Sequence, residues 1–309
     1  MTRRALVTGG AGFIGSHLAH AMLDEGWRVD VVDDLSSGNA ANVPAAAELI
    51  ELDLGAPGAT VRLPTGGYDA ICHLAGQSSG EKSFDDPERD FDANARSSVA
   101  IAAWARAQRV PMIVHASSMG VYGDVATHPV DESAALRPVS FYGASKLAAE
   151  HALQAAPDVR AISLRMFSVY GPGQDLSEMR QGMASIFLAM ALRGEPIEVR
   201  GPLDRVRDFV YVEACVEAWL RAHASPDATG PFNVGTGVGT SIRALLAEML
   251  ELLGATDHPV KELDVRTPGD QFAVSASTAR ARDVLGWSAR TELREGLGAM
   301  VDWARAVAS

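Results

Sequence analysis

A glycine-rich segment, VTGGAGFIGSH, joins the first predicted strand of this chain to its first predicted helix. Gly9, Gly12 and Gly15 fit the spacing G-x-x-G-x-x-G, while Gly10 begins the narrower G-x-G-x-x-G. Without side chains here, the backbone can approach a pyrophosphate, which the unpaired N–H groups at the start of the next helix also attract. A tight strand-to-helix turn needs glycine for its own geometry as well, so the segment alone leaves both interpretations open.

The carboxylates that follow the second predicted strand favour the nucleotide interpretation. Asp33 ends the strand RVDVVDD about 20 residues after the glycines, where a carboxylate can bond the ribose hydroxyls of an adenosine. The same charge would repel a 2′-phosphate. We therefore expect NAD rather than NADP, with Asp34 as a secondary contact. Asp53, at the end of a further strand, either reaches the adenine or caps its own loop.

Short apolar runs alternate with longer amphipathic segments through the first half of the chain. RALVT, RVDVVDD and MIVHAS are typical of strands, and SHLAHAMLDEG and SSVAIAAWARAQRV are typical of helices. Such alternation indicates repeated βαβ units, in which helices cover both faces of a parallel sheet. We expect an α/β fold, a Rossmann-type doubly wound parallel sheet with a smaller C-terminal α/β substrate-binding domain.

The pattern changes after Phe167, where a Gly-Pro-Gly turn precedes a methionine-rich helix. Strand-then-helix patterning returns in RDFVYVEACVEAWLRAH. We therefore expect the chain to cross between two lobes more than once. The predicted NAD-binding domain comprises residues 1–167 with 208–235, and the predicted substrate-binding domain comprises residues 168–207 and 236–309.

Composition limits the partners and the compartment. The net charge of -12 weighs against broad binding of nucleic acid, which needs a clustered basic surface. The basic N-terminus has no long apolar run behind it, so we expect neither a signal peptide nor a membrane span. Cys72 and Cys215 are too few for a disulfide scaffold, and the histidines lack metal-ligand spacing. A cytoplasmic protein without a metal site is the expectation.

Tyr142 and Lys146 lie four residues apart in YGASK, which places both side chains on one face of a helix. As a general base near neutral pH, the phenol needs its pKa of about 10 to fall to about 7, which corresponds to about 4 kcal/mol. A lysine ammonium about 6 Å away supplies on the order of 3 kcal/mol at an effective dielectric constant of about 20. The positive charge of a nicotinamide can supply the rest, although this spacing also arises by accident.

Six features occur in the order found in extended short-chain dehydrogenases/reductases: TGGAGFIG, Asp33, SSMGVYGD, YGASK, LRMFSVYGPG and RDFVYV. The chain resembles the nucleotide-sugar epimerase and dehydratase branch of that family, and it is most similar to UDP-glucose (UDP-galactose) 4-epimerases. The likeness extends over nearly the full length of the chain.

The resemblance implies roles for individual residues. Tyr142 would be the general base, Lys146 would hold the nicotinamide ribose and lower the pKa of the tyrosine, and Ser118 would bond the reacting sugar oxygen. The residues that it places at the cofactor are Gly9, Gly12, Phe13, Ile14, Gly15, Asp33, Asp34, Asp53, Leu54, Leu74, Ala75, Gly76, Asn94, Tyr142, Lys146 and Phe167. The residues that it places at the substrate are Ser118, Ser168, Arg207, Arg266 and Asp270.

The chain departs from the family pattern at several positions. Met119 and Gly120 stand where sugar 4,6-dehydratases carry an acidic pair, and Gly120 also replaces a glutamate of related decarboxylases. Those carboxylates assist elimination and decarboxylation, so the likeness supports only oxidation and reduction at one carbon. Ser168 replaces a common asparagine, and Arg266 is displaced by one position from the arginine of the family.

The resemblance therefore implies an NAD-dependent epimerase of a nucleotide-diphosphate sugar, most like a UDP-hexose, that inverts C4 through a transient 4-keto intermediate. Dehydratase or 4-keto reductase chemistry on a nucleotide sugar is the alternative. A non-catalytic NAD-binding regulator that keeps the fold is a further one. By the habit of the family, two long helices from each subunit would form the four-helix interface of a homodimer.

Overall fold

Strands and helices alternate along the chain in the computed structural model, which describes residues 2–125 and 128–308. The strands are β1 (Arg4–Thr8), β2 (Arg28–Asp33), β3 (Glu48–Glu51), β4 (Ala70–His73), β5 (Met112–Ser118), β6 (Arg160–Met166), β7 (Ser168–Tyr170), β8 (Ile197–Arg200), β9 (Val206–Arg207), β10 (Phe209–Tyr211), β11 (Gly230–Val234), β12 (Thr240–Ser241) and β13 (Val260–Leu263). The helices are α1 (Phe13–Asp24), α2 (Pro87–Phe91), α3 (Ser97–Gln108), α4 (Phe141–Gln154), α5 (Met183–Leu192), α6 (Val212–Ala224), α7 (Ile242–Leu253) and α8 (Leu293–Ala308).

A seven-stranded parallel sheet forms the centre of the fold, in the order β3, β2, β1, β4, β5, β6, β11. Strand β1 pairs with β2 on one side and with β4 on the other, so the strand order reverses between β1 and β4. In open α/β sheets, ligand clefts lie at the carboxyl ends of the strands at such a reversal. The sheet confirms the predicted doubly wound α/β fold.

Helices cover both faces of this sheet. On one face α1 and α6 share a core with the strands, in which Leu18 and Trp219 are fully buried. On the other face Ile101 of α3 and Leu153 of α4 are equally buried. Strands enclosed on both faces can be apolar at successive positions, which explains the continuous apolar run of β1.

A second core lies around α5, α7 and α8, where Leu188, Leu245 and Met300 are fully buried together. Short pairs of strands join this region, with β8 parallel to β13 and β9 antiparallel to β12. Between them the chain returns through α6 to β11 at the edge of the central sheet. The predicted domain boundaries themselves stay a prediction.

Membrane-spanning helices and metal-binding clusters are both absent from residues 2–125 and 128–308. No helix there combines the length and the apolar character needed to cross a membrane. No group of three or more His, Cys, Asp or Glu side chains in the same ranges could hold a metal ion. Cys72 and Cys215 are free thiols within the core.

Two histidines lie deep in the sheet rather than at its surface. His73 on β4 and His115 on β5 stack with their ring centroids 5.8 Å apart. The Nδ1 atom of His73 is 2.8 Å from Thr8 Oγ1, and its Nε2 atom is 3.1 Å from Ser98 Oγ. Burial, followed by the charge of Lys146, lowers the pKa of His73 to about 3 and that of His115 well below its usual value.

We predict that this burial makes the fold acid-sensitive. Below about pH 6.5, the ordinary pKa of histidine, the unfolded chain binds a proton that folded His73 does not, so stability falls from about pH 6.5 toward pH 3. His73→Asn should reduce the slope of unfolding free energy against pH, measured by urea denaturation between pH 6.5 and 5, by about 1.4 kcal/mol per pH unit. His20→Asn, at an exposed position of α1, should keep the wild-type slope. Equal slopes for all three proteins would contradict this account.

Candidate active site

A cleft of about 980 Å³ opens at the carboxyl ends of β1, β2 and β4, where the strand order reverses. The predicted cofactor residues that line it are Gly9, Gly12, Phe13, Ile14, Gly15, Asp33, Asp34, Asp53, Leu54, Leu74, Ala75, Gly76, Tyr142 and Lys146. Asn94 and Phe167 are buried next to Ala93 and Met166, which also belong to the lining. The structure thus brings the sequence-predicted cofactor residues to one place.

The glycine turn between β1 and α1 is packed too closely for side chains. A Cβ atom on Gly15 would lie 2.1 Å from the carbonyl oxygen of Gly9, and one on Gly9 would lie 2.6 Å from the backbone N of Ala75. Gly9 also adopts a positive φ of 71°. Gly12 caps α1 without a side-chain hydrogen bond, so the first N–H groups of the helix remain available to an anion.

Asp33 connects the end of β2 to the glycine turn. Its carboxylate accepts hydrogen bonds from the backbone N–H of Ala11, at 3.0 Å, and of Leu35, at 2.9 Å. Burial raises the pKa of Asp33, and these two backbone hydrogen bonds counteract it. A carboxylate fixed beside the turn is in place to accept hydrogen bonds from ribose hydroxyls and to repel a phosphate.

Asp34 and Asp53 are joined by an arginine that the sequence did not reveal. Arg89 donates from one guanidinium nitrogen to Asp34 and from the other to Asp53, both at 2.9 Å. The second oxygen of Asp53 accepts from the N–H of Gly55 at 2.8 Å. Asp53 therefore caps its own loop, as one of its two expected roles requires, and it also lines the cleft beside Arg89.

The opposite end of the cleft is built around Gly76 and a π-helical turn, Asp92–Arg96, which joins α2 to α3. Asn94 of this turn is buried, and a Cβ atom on Gly76 would lie 2.2 Å from its Oδ1 and 3.2 Å from Lys146 Nζ. The Oδ1 atom of Asn94 has no hydrogen-bond partner within the described part of the chain. π-Helical turns are frequent at functional sites because they reorient single side chains.

The three predicted catalytic side chains meet beside this end of the cleft. Ser118 ends β5, and its Oγ accepts the N–H of Gly120 at 3.1 Å and shares a hydrogen bond with the phenol of Tyr142. Lys146 Nζ lies 5.8 Å from the centroid of the Tyr142 ring, one helical turn further along α4. The geometry matches the arrangement expected for a phenol beside a cation.

Burial changes the electrostatics that the spacing alone suggested. We expected Lys146 to lower the pKa of Tyr142, but burial raises the pKa of this phenol to about 12, only partly offset by the hydrogen bond with Ser118. Burial likewise lowers the pKa of Lys146 to about 8. Burial of the phenol outweighs its hydrogen bond with Ser118, so the chain by itself does not make Tyr142 a base near pH 7.

The predicted substrate residues fall into two groups. Arg207 on β9 is fully buried and donates to Asp270, which also binds Arg205. Burial, followed by the charge of Arg205, lowers the pKa of Arg207 to about 10. Ser168 is partly buried on β7, whereas Arg266 is exposed at the surface. Arg205 and Arg207 are therefore held together by Asp270, while the role of Arg266 stays a prediction.

The cleft fits a dinucleotide on the evidence of its own atoms. The glycine turn leaves room that two Cβ atoms would fill, α1 presents uncapped N–H groups, and Asp33 is fixed beside them. A family model described as the NAD dependent epimerase/dehydratase family matches residues 5–235. The chain belongs to this family. The description of the family names NAD, the cofactor that we predicted from Asp33.

Individual members of the family are similar over their whole length. A UDP-glucose 4-epimerase of Mycolicibacterium smegmatis is 37% identical over 311 residues, which cover 98% of each chain. A crystal structure of UDP-glucose 4-epimerase with UDP-glucose from Thermotoga maritima has a TM-score of 0.90 at 31% identity and covers 99% of this chain and 100% of that one. A Thermus thermophilus UDP-glucose 4-epimerase complex with NAD has a TM-score of 0.88 at 32% identity, with 98% and 99% covered. The predicted resemblance is confirmed.

Several lining residues of this family member were missed from the sequence. They are Arg89, the polar loop 36–42 that follows Asp33, and the segment 173–178 after the Gly-Pro-Gly turn. The loop carries a signal that was available, because SSGN begins three residues after Asp33. No sequence signal marks Arg89, since its partners Asp53 and Asp34 are 36 and 55 residues away in the chain.

We predict that Asp33→Asn reduces the preference for NAD over NADP. The substitution removes the charge that opposes a 2′-phosphate and weakens a charge-assisted hydrogen bond, which together correspond to a change of at least about tenfold in the ratio of dissociation constants. Asp34→Asn, whose carboxylate is paired with Arg89, should change the ratio much less. Titration calorimetry with NAD and with NADP measures the ratio of the two dissociation constants. A wild-type protein that already binds NADP more tightly would refute the role of Asp33.

Proposed function

We propose that this protein is an NAD-dependent 4-epimerase of a nucleotide-diphosphate sugar, with a UDP-hexose as its substrate. The observation that carries the proposal is the meeting of Ser118, Tyr142 and Lys146 beside the glycine-lined cleft. The whole-length similarity to UDP-glucose 4-epimerases supports the choice of substrate.

Each catalytic side chain has a separate task in this proposal. Tyr142 removes the proton of the sugar 4-hydroxyl, and Ser118 holds the reacting oxygen by a hydrogen bond. Lys146 binds the nicotinamide ribose and stabilises the phenolate. A bound NAD would supply the acceptor and then the donor of the C4 hydride, so it would not be consumed.

The positive charge of an oxidised nicotinamide would complete the activation of Tyr142. Because burial raises the pKa of Tyr142 to about 12, a second cation beside the phenol is needed for it to act near neutral pH. We infer that Tyr142 becomes an effective base only in the complex with oxidised cofactor. Proton removal is thereby restricted to the state in which the hydride can be accepted.

The environment of Gly120 favours epimerisation over elimination or decarboxylation. A Cβ atom at Gly120 would lie 3.4 Å from Ser118 Oγ and 3.6 Å from two carbons of the Tyr142 ring. A side chain at this position would therefore face the reacting atoms, and glycine provides no proton donor there. Dehydratase or 4-keto reductase chemistry is the alternative, and it would need an acid from another part of the site.

For the substrate, we propose that Arg207 and Ser168 bind the nucleotide diphosphate portion, with Asp270 holding the Arg207 guanidinium in place. Arg205 adds a second guanidinium beside Asp270, and its Nε is buried without a partner in the described chain. The surplus positive charge suits a diphosphate in a chain whose net charge is -12.

The division into an NAD-binding and a sugar-binding domain and a cytoplasmic location remain part of the same proposal.

We predict that the protein converts UDP-glucose to its C4 epimer without added NADH and without a lasting ketone. Tyr142→Phe should lower turnover at least ~100-fold while retaining bound NAD, since it removes only the general base. Tyr170→Phe is the matched control, because its hydroxyl donates to Leu293 O inside the second core. NMR of the sugar products and absorbance of the bound nucleotide are the measurements. Near-normal turnover of Tyr142→Phe would exclude the mechanism.

We further propose a homodimer assembled through α2, α3 and α4. Phe91 and Val99 are 52% and 54% exposed along the first two helices, and Phe141 is 48% exposed on α4. Apolar side chains along two neighbouring helices suit a four-helix interface with a second copy of the chain.

We predict a dimer by light scattering at micromolar concentration. Val99→Glu should produce a monomer, because a carboxylate would be buried without a partner at the proposed interface. Val61→Glu, at a position 86% exposed outside these helices, should leave the dimer intact. A monomeric wild-type protein would rule out the interface.

A further inference from the structure

A buried carboxylate stands close to the predicted catalytic residues and has no role in the proposed mechanism. Asp90 lies on α2 and is 1% exposed. Its Oδ1 accepts hydrogen bonds from Gln77 Nε2 at 2.7 Å and from Asn94 Nδ2 at 3.3 Å. Its Oδ2 accepts from Ser145 Oγ at 2.6 Å. Both oxygens therefore act as acceptors, which is the role of an ionised carboxylate.

The residues that bind Asp90 also border the Lys146 ammonium. Ser145 directly precedes Lys146 on α4, and Gln77 directly follows Gly76. The side-chain amide of Asn94 connects Asp90 to the surroundings of Lys146. Its Nδ2 donates to Asp90 and Ser145, and its Oδ1 faces Gly76 close to Lys146 Nζ. Asp90 is thus held near the lysine by Gln77, Asn94 and Ser145, of which Gln77 lines the cleft.

We propose that Asp90 is the buried counter-charge that keeps Lys146 protonated, and that it acts as a positioning residue for the Tyr142–Lys146 pair. The other titratable groups that face the lysine offer no negative charge at neutral pH. They are His73 on β4, His115 on β5 and Tyr142 on α4, each favoured in its neutral form by burial. A buried cation without an anion nearby would lose its proton readily.

The charge of Asp90 acts in opposite senses on the two members of the pair. It raises the pKa of Lys146, against the effect of burial, and so favours the ammonium. It also raises the pKa of Tyr142 and so disfavours the phenolate. Removing the charge should therefore lower both pKa values, and the pH range in which a phenolate stands beside an ammonium should move to lower pH.

The chain offers a direct test because it contains three lysines, Lys82, Lys146 and Lys261. Lysine labelled with ¹³C at Cε gives three NMR signals, and Lys146→Arg identifies the one from the cleft. In the full-length protein as purified, the wild-type signal should titrate near pH 8. In Asp90→Asn it should titrate at least about one pH unit lower, as expected when a nearby opposite charge is lost.

Two matched variants separate charge from packing. Asp92→Asn lies two residues further on and removes a carboxylate that pairs with Arg96 at the surface, so the titration of Lys146 should not change. Asp90→Glu keeps the charge while disturbing the hydrogen bonds, and it should retain most of the wild-type value. An unchanged titration in Asp90→Asn, or an equal drop in Asp90→Glu, would overturn the proposal. If Asp90→Asn does not fold, a wild-type titration below about pH 7 would overturn it as well.

A kinetic measurement rests on the proposed epimerase function and is kept separate from the NMR result. In Asp90→Asn both limbs of the dependence of kcat/KM on pH should move to lower pH, with the basic limb moving at least about one unit. A merely structural role would lower kcat without moving either limb. If UDP-glucose is not converted by the wild type, the proposed function fails, while the NMR titration still decides the role of Asp90.

Discussion

The architecture of the cleft depends on a close approach of backbone atoms that leaves no space for side chains. Hypothetical Cβ atoms at Gly15 and Gly9 would collide with the Gly9 carbonyl oxygen and the Ala75 backbone, at 2.1 and 2.6 Å. Because these atoms belong to the β1–α1 turn and to the end of β4, the glycines allow both to meet where the strand order reverses. The open N–H groups of α1 and the Lys146 side chain consequently face one cleft.

Within this cleft, burial governs the chemistry more than the number of charges does. The chain is strongly acidic, yet its surface carboxylates are screened by water and salt, whereas a charge at Asp90 or Arg205 acts through a medium of low polarity. Burial favours the neutral forms of Tyr142 and Lys146 alike. A charged cofactor and one fixed carboxylate can therefore shift the pKa values of Tyr142 and Lys146 enough to decide whether each group is protonated.

Much of the fold and the centre of the site were predictable because they depend on residues that are close in sequence. Alternating apolar runs and amphipathic segments led to the parallel sheet, and the glycine spacing with Asp33 led to the cofactor cleft. Tyr142 and Lys146 share one face of α4 because they are one helical turn apart. These patterns express local backbone geometry, which the order of residues determines by itself.

The tertiary structure alone decided which groups are buried and which distant side chains meet. Arg89 bridges Asp34 across 55 residues, and Asp90 accepts a hydrogen bond from Ser145 across the same separation. Arg205 pairs with Asp270, which no local pattern indicates. The direction of the pKa shift of Tyr142 in the chain alone also differs from the one expected from the sequence, because desolvation outweighs the hydrogen bond with Ser118. Both terms depend on the complete packing around a group, which a spacing of four residues does not contain.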